Sequence, residues 1–153
     1  MLVSAALGVI LIGSFCMNCW GNDFPLWLHP DEFKKVYFID GLKTDFKHPQ
    51  LILKLGRLFT DIASPSSQQD VVQAGRTSTA FLGSLAVLFT FGLARQFLSV
   101  PASLLATSLM AVSPGIVIHS HYLKEDIALT CFATASLLLA IVTAKESVGD
   151  SSS

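Results

Sequence analysis

The stretch that decides the fold is "TSTAFLGSLAVLFTFGLA", Thr77 to Ala94, which carries no charged side chain and no alternation of polar with apolar residues. Alternation would argue a half-buried strand, and a single apolar stripe would argue a helix on the surface of a soluble core. A run that is apolar all round argues a helix enclosed by lipid or by other helices. Its length is close to the roughly 20 residues that cross about 30 Å of hydrocarbon. Three more runs share this character: Leu2 to Trp20, Val100 to Ile118, and Ile127 to Ala144. The composition agrees, with 52% hydrophobic and 14% charged residues in 153, against about 25% charged in a soluble domain. The expectation is an all-α, multi-pass transmembrane bundle of four spans, at about 2–20, 77–98, 100–118 and 127–144. Net charge is −1 and no basic block occurs, so nucleic acid is not an expected partner.

Outward from Thr77, the connections differ in length. Gln96 to Ser99 is a tight turn, which makes the second and third spans an antiparallel hairpin. Ser113-Pro114-Gly115 should end or kink the third span early. The first run is open to a second reading as a cleaved signal peptide, but it lacks a basic start and a small-x-small site before Trp20. The long segment Gly21 to Arg76 should hold short amphipathic helices lying in the membrane interface. One is expected over Pro30–Ile39, with Pro30 at the first position, Asp31 and Glu32 in the first turn, and Gly41 as the stop. A second is expected over Pro49–Ile62, with Leu51, Leu55, Leu58 and Ile62 along one side. "SPSSQQD", from Ser64 to Asp70, reads as a flexible link. Cys16 and Cys19 form a lone C-x-x-C pair; with Cys131 they cannot build a four-cysteine zinc site and read as small buried hydrophobes.

Four spans place the first and third connections on one side of the membrane, whichever way the chain inserts. Asp31 and Glu32, the segment Asp45 to His48, and "HSHYLKED" (His119 to Asp126) therefore share a compartment with Arg76. Carboxylates beside lysine and arginine at head-group level suit a substrate with a hydroxyl to deprotonate and a phosphate to hold. Neighbouring helical residues point about 100° apart, so Asp31 and Glu32 should divide the work, one facing substrate and the other orienting backbone or a cation. A helix N-terminus favours the ionised carboxylate, which suits electrostatics and weakens a base. Plainer roles remain open: Asp31 and Glu32 as helix-dipole partners, Lys124 to Asp126 as membrane-edge anchors, and Arg76 snorkelling where its span begins. The spacing of His119 and His121 near Asp126 leaves a divalent cation open, without a third ligand to fix it. Seven Lys and Arg in the long connection, among them Lys34, Lys35 and Arg57, would by count place it in the cytoplasm, but the connection is near the length at which that rule weakens.

Read in order, His29-Pro30-Asp31-Glu32, His48-Pro49-Gln50-Leu51, Ala74-Gly75-Arg76, Ser113-Pro114, and Tyr122 with Asp126 give a chain that resembles the multi-spanning GT-C glycosyltransferases. The branch is that of the dolichyl-phosphate-mannose protein mannosyltransferases and the bacterial lipid A aminoarabinose transferases. The resemblance runs from about Trp20 to Ala144. It implies that the long connection faces the ER lumen or periplasm, so that the protein sits in the ER membrane or the bacterial inner membrane. It implies Asp31, with Glu32 beside it, as the catalytic acids, and Arg76, Lys124, Asp126, His48 and Tyr122 as substrate contacts. The reaction implied is attack by an acceptor hydroxyl or amine, on protein or lipid, at the anomeric carbon of a polyprenyl-phosphate sugar. Family members carry more spans, so residues 1–153 correspond to the N-terminal part of such an enzyme. The alternative is a non-enzymatic tetraspan subunit or scaffold, suggested by Gly75, Thr79 and Gly83 at a spacing that permits close helix packing. A transporter fragment is weaker, since no ionisable residue falls in mid-span.

Overall fold

A computed structural model describes residues 2–42 and 50–150. Seven α-helices account for most of them, and no strand occurs among the described residues: α1 (Leu2–Cys19), α2 (Pro30–Ile39), α3 (Gln50–Ala63), α4 (Gln68–Ala94), α5 (Val100–Ala111), α6 (Pro114–Ser120) and α7 (Glu125–Asp150). A 3₁₀ turn, Leu26–Leu28, precedes α2. Helices α1, α4 and α7 are each long and apolar enough to cross a membrane; α5 and α6, bent by 50° at their junction, pass as a fourth span when taken together. The bend falls where Pro114 removes a backbone donor, as the Ser113-Pro114-Gly115 signal requires.

Helix α4 is the axis of the bundle, touching every other helix, including α7 and α1 along their lengths. Its closest approaches use the small residues expected of membrane helix packing. A side-chain carbon on Gly75 would lie 2.8 Å from Leu123 Cδ2, and one on Gly83 would lie 2.2 Å from Ser120 Oγ. Between them, Thr79 Oγ1 donates to the Ser120 carbonyl at 2.9 Å. The stripe at 75, 79 and 83 is therefore covered from within the chain by α6 and the turn that follows it.

The start of α4 and the end of α7 differ most from expectation. Helix α4 begins at Gln68 rather than near Thr77, because Ser67 and Asp70 form a reciprocal capping box: the Ser67 hydroxyl accepts from the Asp70 amide, and the Asp70 carboxylate accepts from the Ser67 amide. Two of the helix's orphan amine-end donors are thus satisfied, and the supposed flexible link shrinks to residues 64–67. Helix α7 runs to Asp150 rather than stopping near Ala144. Helix α2 keeps its expected bounds; the His29 ring accepts from the Asp31 amide at its start, and Gly41 follows its end with φ +75°, a value glycine adopts without strain. Helix α3 packs Ile52, Leu53, Gly56 and Thr60 inward and leaves Leu51, Leu58 and Ile62 exposed. Three of the four residues on the predicted apolar side thus face outward, as suits a helix lying in an interface, while Leu55 packs partly against the core.

Candidate functional site

At one end of the bundle the start of α2, the first third of α4 and the turn from α6 to α7 converge. Asp31 and Glu32 diverge as neighbouring helical residues must. Glu32 is fully buried and Asp31 has about half its side chain exposed, at 46%. The Glu32 carboxylate accepts from Arg76 Nε at 3.0 Å and Nη2 at 2.6 Å, and from the Leu123 amide at 2.7 Å. Arg76 is also fully buried. Its Nη1 donates to the carbonyls of Asn22 at 2.8 Å and Phe24, and its guanidinium lies 3.5 Å from the centroid of the Phe24 ring. A bidentate Arg–carboxylate pair whose third nitrogen gives both its hydrogens to carbonyls is the arrangement that lets two charges leave water together.

Two expectations change here. Arg76 does not snorkel at the start of a span: it stands a third of the way along α4, enclosed, with no exposed area to meet a lipid phosphate. Glu32 faces the interior rather than the surface; its oxygens are engaged by Arg76 and Leu123. The earlier start of α4 is the reason, since it carries Arg76 into the bundle opposite α2. Lys35, which sequence reasoning passed over, is buried on the same face of α2 as Glu32; its ammonium donates to the Leu123 carbonyl at 3.0 Å and pairs with Glu125. Its spacing of three from Glu32 was the available signal.

The outward groups are different. Lys124 Nζ stands 3.9 Å from Asp31 Oδ2, both partly exposed. Asp126, half exposed, lies 3.5 Å from His119 Nδ1. Tyr122 is half-buried, its ring 5.3 Å from Phe24 and 5.0 Å from His29, centroid to centroid. His121 reaches the Trp20 carbonyl at 2.8 Å and the Val117 carbonyl at 2.6 Å, joining the ends of α1 and α6. Beside Asp126 a groove of about 280 Å³ opens between α3 and α7, walled by Leu51, Ile52, Ala128, Leu129 and Phe132, with Glu125 and Asp126 at its polar end. His48, with the segment Asp45 to His48, lies outside the described residues. Among the described residues no three His, Cys, Asp or Glu side chains converge as a metal ion would need.

Helices long and apolar enough to cross a membrane, with charged groups drawn together at one end of the bundle beside an apolar groove, define an integral membrane protein. The family of dolichyl-phosphate-mannose-protein mannosyltransferases matches residues 54–149, and the chain belongs to that family, whose members are membrane glycosyltransferases of the mannosyltransferase type. The match takes in Arg76, Tyr122, Lys124 and Asp126 and starts after Asp31 and Glu32. No curated protein matches the chain. No solved structure matches it either.

Proposed function

We propose that this end of the bundle takes part in transfer of a sugar from a polyprenyl-phosphate donor to an acceptor on the extracytoplasmic face, in the ER membrane or the bacterial inner membrane. The observation that carries the reading is the split of the adjacent acids. Glu32 is locked to Arg76, while Asp31 remains outward with Lys124 at 3.9 Å. An accessible carboxylate next to an accessible ammonium is what the reaction needs. Asp31 takes the proton from an acceptor hydroxyl or amine; the freed pair forms the new bond at the anomeric carbon. The bond from that carbon to phosphate oxygen breaks, and Lys124 steadies the charge left on polyprenyl phosphate. Asp126 and Tyr122 border the sugar, and the groove along α7 accepts the first part of the prenyl chain. His48 is kept as a substrate contact on the family resemblance alone. The family's description favours a mannosyl donor and a protein acceptor. The scaffold alternative loses its motive, since Gly75, Thr79 and Gly83 are already covered inside the chain.

The test is Asp31→Asn in the lipid-embedded protein, assayed for polyprenyl phosphate released from a polyprenyl-phosphate mannose donor in the presence of a Ser/Thr-rich peptide. The expected loss is about 100-fold or more, in the range of general-base contributions, with unchanged thermal unfolding. Turnover equal to that of the wild type would remove Asp31 from the chemistry.

A further inference from the structure

The turn from α6 to α7 spans residues 121–124, and its middle is gripped on both sides. Leu123 is fully buried. Its amide donates to Glu32 at 2.7 Å and its carbonyl accepts from Lys35 at 3.0 Å. Glu32 and Lys35 are three apart on α2, so one helical face holds both polar groups of one peptide residue. The Leu123 side chain sits in the notch left by Gly75, where a methyl would meet it at 2.8 Å. Lys35 itself is enclosed, with 1% of its side chain exposed, and also pairs with Glu125 at the start of α7. A buried ammonium is expensive to keep in place, and a leucine or methionine at position 35 would fill the same space without the charge. What the ammonium adds is a directional bond to this turn.

We infer that Lys35 is a positioning residue for the proposed transfer site: with Glu32 it fixes Leu123, and thereby sets where Lys124 and Asp126 stand relative to Asp31. This rests on the transfer reading above. Glu32 anchors the amide side of Leu123 to α2. On the carbonyl side the Lys124 amide donates to the Tyr122 carbonyl at 2.7 Å, a bond internal to the turn, and Lys35 is what ties that peptide to α2. Lys124 follows Leu123 directly, so a tilt of the Leu123–Lys124 peptide swings Lys124 away from Asp31. Displacements of about 1 Å in a reacting constellation lower rates by roughly 100-fold.

The experiment compares Lys35→Met with Lys35→Gln in the full chain in lipid nanodiscs. The two side chains have nearly the same shape, and only glutamine can donate to the Leu123 carbonyl. Steady-state transfer from polyprenyl-phosphate mannose is measured alongside amide hydrogen exchange of the 121–126 segment. We expect kcat for Lys35→Met to fall roughly 30- to 100-fold with KM for the donor within about threefold, and faster exchange confined to 121–126. Lys35→Gln should recover part of both effects. Equal kcat and equal exchange in wild type and Lys35→Met would overturn the inference. So would a loss that glutamine does not relieve at all, or exchange that rises throughout the bundle in both variants, since either makes Lys35 a general stabiliser. If Lys35→Met does not fold, Lys35→Gln decides against wild type by the same two readouts. A wild-type chain that transfers nothing would count against the function proposed above; the exchange comparison would still decide whether Lys35 holds the turn.

Discussion

Asp31 and Glu32 are joined by one peptide bond and occupy different media. The carboxylate of Glu32 is enclosed with Arg76, and removing one partner would leave the other charge buried without compensation. Arg76→Met should therefore destabilise the chain by about 3–5 kcal/mol, read as a lowered midpoint of thermal unfolding in detergent. The double variant Glu32→Gln with Arg76→Met should recover much of that loss, since it removes both charges; a double variant as unstable as the single one would contradict the pairing. What could be read from the residues alone was local. Pro30, the acidic first turn and Gly41 marked α2, and the 100° step predicted that the two acids would part. Which acid turned inward was hidden, because Glu32 is satisfied by residues 44 and 91 positions away. Arg76 was misplaced for the same reason: its burial depends on a partner that no local pattern announces.

Among the elements, the junction of α1, α4 and α6 leaves the least room at any described glycine. A methyl on Gly83 would meet Ser120 Oγ at 2.2 Å and Asn18 Nδ2 at 2.9 Å. Gly83→Ala should cost about 1–3 kcal/mol through overpacking. Ser120→Ala should be nearly neutral, since Ser120 Oγ has no hydrogen-bond partner there. Combined, the two should destabilise less than Gly83→Ala alone, and a thermal-unfolding double-mutant cycle reads the coupling; strict additivity would mean the helices separate rather than clash. At this scale apolar length predicted the three straight spans, and Pro114 predicted the bend. The start of α4 was missed because Ser67 and Asp70 form a capping box with an aspartate in the place where glutamate or glutamine is usual, inside a stretch whose serines and proline also suit a loop.

For the whole molecule, the two ends of the bundle differ in kind. One end carries the site, with exposed Trp20 and Trp27 beside it, the kind of residue that sits at a membrane–water boundary. At the other, Lys145 Nζ donates to the Gln96 carbonyl at 2.7 Å, tying α7 to the short α4–α5 turn. The Lys and Arg count opposed the proposed orientation, but it included Lys35 and Arg76, which serve the interior. Orientation is testable on a background with Cys16, Cys19 and Cys131 replaced by serine. In sealed vesicles, Ser66→Cys should react with an impermeant maleimide from the extracytoplasmic side, and Ser99→Cys only after permeabilisation. The reverse pattern would invert the topology.

The grip on Leu123 also orders the birth of the protein. Glu32 and Lys35 leave the ribosome about ninety residues before the groups that complete their bonds. Glu32 can pair with Arg76 earlier, but until α7 begins to insert the nascent chain has to keep the Lys35 ammonium hydrated, so arrival of residues 123–125 acts as the checkpoint at which the first connection can finally close.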